Sequence, residues 1–305
     1  LINEEKTQIK PNLIMILILI LSLDSIFQYI FKYNIIGFKI YEYYRLTSFF
    51  ENEPIIGSFI MKLFFPLFIL FLYKKKKDFL TLAVLLISII VIFLSGERMP
   101  FLQVIFGITI FFLFFYKFTK KSLLFIFSTF FLISSILLIN PSSLDRYKDT
   151  FNGITLLLKD INDKKVITNT PSKNSIYTYY LNFKSGLLLW KNEPILGNGF
   201  RYYKNNCQKI LNTNDAMGCS THPHNIYIEI LSDYGLLGVL IFLAFLFNIS
   251  YNFLKDNLNR KYLGVFITIV VTSIPFVTSQ SIFSSYYGSI YFFYIFILRY
   301  YSNSK

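Results

Sequence analysis

Asn12-Leu13-Ile14-Met15-Ile16-Leu17-Ile18-Leu19-Ile20-Leu21-Ser22-Leu23-Asp24-Ser25-Ile26-Phe27-Gln28-Tyr29-Ile30-Phe31 is an almost wholly apolar run with one charge, Asp24. A helix crosses the hydrocarbon of a bilayer in roughly 20 residues, and this run has that length. In hydrocarbon every backbone N–H and C=O must be paired internally, so such a run has to be helical. Comparable runs follow at about 55–73, 79–95, 101–116, 122–139, 235–253, 262–279 and 287–300. Leu, Ile and Phe fill them without the period-2 alternation of a transmembrane barrel. The composition agrees: 54% of residues are hydrophobic, 20% aromatic and only 15% charged, and the mean hydropathy is +0.51. A soluble domain carries about 25% charged residues. The fold expected is therefore all-α, a polytopic bundle of about eight spans.

A net charge of +13 would point to nucleic acid in a soluble protein. Here the lysines and arginines flank spans, as the retention of basic loops in the cytoplasm predicts, and no nucleic-acid partner is expected. Lys74, Lys75, Lys76 and Lys77 form one short connection, Lys117, Lys120 and Lys121 another, and Lys255, Arg260 and Lys261 a third. Span counting puts these on one side with Lys6, Lys10, Arg299 and Lys305. The opposite short connections carry Lys32, Lys39, Arg45 and Arg98 offset by Glu42, Glu51, Glu53 and Glu97. The basic side is expected to be cytoplasmic. The first run is too long for a cleavable signal peptide and lacks a small-residue cleavage site. The chain starts with Leu directly before a span, as a fragment lacking upstream spans would.

This topology leaves 140–234 as a long non-cytoplasmic segment between spans 1–139 and 235–305. Asn140-Pro141 ends a span, 142–175 reads as polar and turn-rich, and 176–191 as an amphipathic helix ending near Trp190. Asn192-Glu193-Pro194 breaks that helix, and Gly197-Asn198-Gly199 is a turn whose glycines allow positive φ. Loops this long are functional or disordered, and the aromatic residues and turn signals favour function. The segment holds Cys207 and Cys219, both of the chain's cysteines. They fit a disulfide on an oxidising face, two separate thiols, or a zinc site with His222 and His224, whose spacing matches no standard zinc motif.

Chemistry-bearing residues concentrate in Thr221-His222-Pro223-His224-Asn225-Ile226-Tyr227-Ile228-Glu229-Ile230-Leu231-Ser232-Asp233-Tyr234-Gly235-Leu236-Leu237-Gly238, which contains both histidines. Pro223 suits a first helical turn, with Ser220 or Thr221 as cap, and Gly235 marks a break before the next span. A helix N-terminus disfavours imidazolium, so His224 there stays neutral and can accept a proton; equally, it could merely sit at the interface. Arg45, Arg98 in Ser95-Gly96-Glu97-Arg98-Met99-Pro100, and Arg201 after Pro194-Ile195-Leu196-Gly197-Asn198-Gly199-Phe200 form a second set. Guanidinium grips phosphate with a planar fork, although each arginine could instead snorkel toward water. Arg98 is the hardest to dismiss, because the positive-inside bias opposes it in a short outer connection. Asp24, a carboxylate inside a span, is a functional candidate by default. His222, Asn225 and Glu97 are secondary candidates beside these. The sequence has no P-loop, G-x-G-x-x-G, H-E-x-x-H or Asp-x-Asp, so a phosphate-bearing substrate would be held by arginines, with no metal and no cofactor expected.

His224-Asn225, nine residues, then Gly235-x-x-Gly238 resembles the H-[N/S/Q]-x9-G-x-x-[G/T/Y] signature of the O-antigen ligase and polymerase superfamily. Trp190-Lys191-Asn192-Glu193-Pro194-Ile195-Leu196-Gly197-Asn198-Gly199-Phe200 is similar to the tryptophan–proline–Gly-x-Gly segment in that family's large periplasmic loop, and the stretches at Arg45 and at Ser95–Arg98 resemble family positions. The likeness covers about 40–300, although family members usually have more spans. It implies a GT-C-like membrane enzyme of the bacterial inner membrane with a large, partly helical periplasmic loop. Such enzymes transfer a glycan from undecaprenyl diphosphate to an acceptor hydroxyl on the lipid A core, on a growing glycan chain or on a protein side chain. The resemblance makes His224 the general base and Arg98, Arg45 and Arg201 diphosphate ligands. An already activated leaving group can be stabilised by arginine charge without metal. The competing expectations are a lipid-glycan flippase or transporter, which Asp24 alone favours, and a non-enzymatic assembly partner.

Overall fold

The computed structural model describes residues 11–41, 45–73, 79–115, 119–139, 145–163, 175–211, 218–255 and 262–302. Their α-helices are α1 (Pro11–Phe31), α2 (Ile56–Tyr73), α3 (Phe79–Leu94), α4 (Arg98–Phe114), α5 (Lys120–Ile139), α6 (Asp145–Asn162), α7 (Ser175–Trp190), α8 (Tyr202–Leu211), α9 (Ile226–Lys255), α10 (Leu263–Thr272) and α11 (Ser285–Ser302). Extended pairing among the described residues is confined to isolated bridges such as Tyr33–Lys39 and Tyr41–Arg45. The basic stretches at Lys74–Lys77, Lys117 and Arg260–Lys261, the terminal Lys6, Lys10 and Lys305, and Asn140-Pro141 lie outside the described residues.

The chain divides into two units, 1–144 with 259–271, and 145–258 with 272–305. In the first, α1 shows why these helices belong in lipid. Its exposed face carries Leu13, Ile16, Leu17, Ile20 and Leu23, while Ser22, Asp24, Ser25 and Gln28 are buried. Such a helix, apolar outside and polar inside, is stable only where the surrounding solvent is apolar. α1 and α9 are long and apolar enough to cross a membrane. Ile56–Leu72, Phe79–Leu94, Arg98–Phe114, Ser122–Ile136 and Leu263–Thr272 are apolar but shorter. α2 contains Pro66, which has no N–H for the carbonyl four residues earlier. That carbonyl, on Lys62, receives a long contact from the Thr268 hydroxyl of α10 at 3.5 Å.

Three sequence expectations change. The run 262–279 is helical only to Thr272; Pro275 disfavours the α conformation in the residue before it, and 273–284 continues without regular α-helix. A 10-residue helix is only about 15 Å long, half the thickness of the hydrocarbon. The polar stretch 142–175 contains α6, with Asp145 in its first turn and Lys159 in its last, charges that complement the helix dipole. Tyr177 donates to Asp160 at 2.7 Å and ties α7 to α6. Finally, the helix carrying the histidine signature begins at Ile226, not at Pro223. Asn225 is its cap: Oδ1 accepts from Tyr227 N at 3.0 Å and Ile228 N at 3.1 Å. The other readings of this region agree with the structure. α7 ends at Trp190, Gly197 and Gly199 have positive φ, and α9 breaks at Gly235.

Candidate functional site

In the second unit the site is built around that break. Gly235 takes φ 64° and ψ −166°, a region essentially reserved for glycine. The interruption frees carbonyls on one side and N–H groups on the other, and the Trp190–Phe200 segment satisfies both. Leu236 N and Leu237 N donate to Pro194 O and Ile195 O at 2.9 and 3.1 Å, and Gly199 N donates to Asp233 O at 2.7 Å. Asn198 Nδ2 donates to Ser232 O at 3.2 Å. A Cβ at Gly197 would lie 2.3 Å from Gly235 N, and one at Gly235 2.4 Å from Ile195 O. The two glycine-bearing motifs, far apart in sequence, are therefore one backbone lock.

Upstream of the lock, His222 and His224 stand side by side with ring centroids 4.2 Å apart. His224, just before the cap, has φ 57° and packs edge-on against Tyr179 at 5.2 Å. Burial lowers both imidazoles, His222 to about 3 with the charge of His224 adding to the effect, and His224 to about 4. Both rings are thus in the proton-accepting form at neutral pH. His222 Nδ1 pairs with the Thr221 hydroxyl at 3.0 Å, whereas its buried Nε2 has no hydrogen-bond partner among the described residues. His222 lines a polar cavity of about 150 Å³ with Arg201, Tyr203, Glu229, Asp233 and Ser281.

The segment 273–284 forms part of the wall and is fastened to the first turns of α9. Asn225 Nδ2 donates to Pro275 O at 2.7 Å, Tyr227 OH to Ser273 O at 2.5 Å, and Ser279 N to His224 O at 2.9 Å. Glu229 accepts from Ser281 Oγ at 2.5 Å and from Ile282 N at 3.1 Å. Asp233 accepts from Tyr203 N at 3.0 Å, so it caps α8 from outside that helix. Arg201 is exposed and donates to Phe283 O at 3.2 Å. Cys207 and Cys219 are joined in a disulfide that packs with Leu189 and Tyr203. Their thiols are therefore not free as zinc ligands.

In the first unit, Glu97 turns its carboxylate onto the start of α2, accepting from Gly57 N at 2.6 Å and Ser58 N at 3.3 Å. Burial pushes this carboxyl up to about 7, against the pull of Arg45, these N–H groups and Lys62. Arg45 donates to Pro54 O at 3.0 Å, and its buried Nε has no partner among the described residues. Arg98 is half-buried at the first position of α4, where the helix dipole disfavours a cation. Asp24 accepts from Ser48 Oγ at 2.5 Å and Ile35 N at 3.0 Å, so it anchors the turn after α1.

Of the residues singled out in sequence, the second unit brings together His222, His224, Asn225 and Arg201, and the first brings together Arg45 and Glu97. Glu229, Asp233, Ser281 and the buried Lys62 were missed. Glu229 left a signal: four residues after Asn225, it shares a helical face with the cap. Ser281 left none, because a lone serine in the short connection between the runs 262–279 and 287–300 follows no pattern.

In the second unit a neutral histidine pair stands beside a polar cavity, a site suited to proton abstraction, and the chain is a helical membrane protein. A profile of the family described as O-antigen ligase matches residues 82–243, more than half of the 305 residues. The chain belongs to this O-antigen ligase family, a membrane family of ligases and polymerases that act on lipid-linked glycans. The matched stretch includes Arg98, Arg201, both histidines and the Gly235 lock. A search of curated proteins gave no match.

Proposed function

We propose that the chain is a glycan transferase that moves a glycan from undecaprenyl diphosphate to a hydroxyl of the lipid A core or of a growing glycan chain. The reaction takes place at the periplasmic face of the bacterial inner membrane, where 140–234 lies in a GT-C-like arrangement of about eight spans. The observation that carries this reading is the neutral histidine pair at the start of α9 beside a polar cavity, within the family-matched stretch. His224 is the general base for the acceptor hydroxyl. Arg98, Arg45 and Arg201 bind the diphosphate and stabilise it as it leaves.

General bases contribute about 10²–10⁴-fold, so His224→Ala should lower transfer in a purified assay by at least about 100-fold. Membrane insertion, followed by fractionation, should stay normal. Wild-type surface polysaccharide in a strain carrying His224→Ala would end the assignment. In a deletion strain, a core bearing a single repeat marks a polymerase, and bare core with accumulated lipid-linked chains marks a ligase.

A further inference from the structure

The cavity beside His222 carries more polar groups than proton abstraction requires. Its volume is about 150 Å³, space on the scale of a single six-membered ring. Glu229 and Asp233 line it. Glu229 accepts from Ser281 Oγ and Ile282 N, whereas Asp233 is engaged by the N–H groups of Arg201, Tyr202 and Tyr203 and by Ser232 Oγ. A carboxyl group has about four acceptor sites when ionised and one donor when protonated, so Glu229, which burial pushes up to about 7, can pair with a sugar hydroxyl in either form. Arg201 and Lys204 line the same space, so the cavity offers donors as well as acceptors to a hydroxylated ring. His222, 6% exposed, lines the cavity with Nε2 unpartnered among the described residues, a desolvated polar atom that a bound hydroxyl would satisfy. Phe283 lines the same space, adding the apolar surface that small-molecule sites combine with a few placed polar groups.

We propose that this cavity is a subsite for a single pyranose ring, whose hydroxyls bond to His222 Nε2 and to the Glu229 carboxyl group. The proposal rests on the glycan-transfer reading and adds which part of a glycan the histidine segment holds. Donor and acceptor glycans both present such rings, and the recognition chemistry is common to them.

The test uses the full chain in lipid nanodiscs, with saturation-transfer difference NMR on methyl α-D-glucopyranoside, methyl α-D-galactopyranoside and N-acetyl-D-glucosamine. At least one probe should give a signal with the wild type. Gln280→Trp, which fills the cavity from its wall, should lower that signal at least fivefold. His222→Phe, which keeps the ring volume and removes the nitrogen, should do the same, with unfolding midpoints and helical content reporting that both variants are folded. Silence from all three probes, or a signal that survives both variants, overturns the subsite. Adding the lipid-linked glycan separates the sources: displacement of the probe assigns the ring to the donor, persistence to the acceptor. Binding of undecaprenyl diphosphate, followed by thermal shift, tests the donor reading separately. If it binds neither wild type nor Gln280→Trp, the glycan-transfer reading falls while the pyranose result is judged on its own signal.

Discussion

Glu97 in the first unit and Glu229 in the second use the same device for different ends. Each is a carboxylate in a largely apolar region that accepts two protein donors, Gly57 and Ser58 N–H for Glu97, Ser281 hydroxyl and Ile282 N–H for Glu229. Around Glu97 the neighbouring charges are cations, Arg45 and Lys62, and the polar atom left over is a guanidinium nitrogen of Arg45. Around Glu229 the atoms left over are the imidazole Nε2 of His222 and the hydroxyl of Ser279. Buried polar atoms are normally paired, so the remainder shows what each region is suited to take. The first region suits an anion; the second, with Arg201 and Lys204 in its wall, suits a hydroxyl and its proton beside an anion.

The sharpest way to break the second region is Gly235→Ala. The left-handed backbone and the 2.4 Å approach to Ile195 O leave no room for a methyl group, and strain of this kind costs about 1–3 kcal/mol before any clash. The variant should lose the lock, seen as fast hydrogen exchange at Leu236 and Leu237 and loss of activity; unchanged protection there would refute the lock. Next comes the disulfide. Cys207→Ser with Cys219→Ser releases a link with a sequence separation of 12, worth about 2–4 kcal/mol in a loop of this length. Destabilisation should show as faster exchange in α8 and in 218–222, with the first unit unaffected.

The smallest effect, and the most direct test of the contrast, is pH. The histidines titrate near 6.5 when unfolded and at about 3 and 4 when folded. The unfolded chain therefore binds more protons, and their contribution is complete above 6.5 and declines as pH falls toward 4. Glu97 and, in the second unit, Glu229 have the opposite sign. Burial raises both carboxyls from 4.5 to about 7 on folding, so the folded state holds the extra protons and stability declines as pH rises from 4.5 to 7. Unfolding midpoints measured from pH 4 to 8 should show His222→Phe flattening the acid limb, and Glu97→Gln and Glu229→Gln each flattening part of the neutral one. If His222→Phe flattens the neutral limb, or either glutamine variant the acid one, the contrast is wrong.

Much of this was legible because it depends on local pattern. Apolar runs identify helices that need lipid, Trp190 and the glycines at 197, 199 and 235 mark breaks through their own backbone preferences, and the His–Asn dipeptide stands out among residues of another kind. The pairing of Cys207 with Cys219 was one of several open possibilities, since spacing alone does not bring two thiols together. Contacts at long sequence separation were not legible. Neither the closure of the Gly235 break by Pro194 and Ile195 nor the fastening of Ser281 to Glu229 has any local signature.

From its own residues the sequence determined a helical membrane protein with its histidines at the head of a helix broken by Gly235, since helical period, hydropathy and glycine backbone freedom act over a few residues. Only the tertiary structure decided that Asn225 caps that helix, that Asp24 anchors a turn, and that His222 rather than His224 lines the polar cavity. Those outcomes depend on which buried donor meets which acceptor, and that is settled by packing between segments distant in the chain.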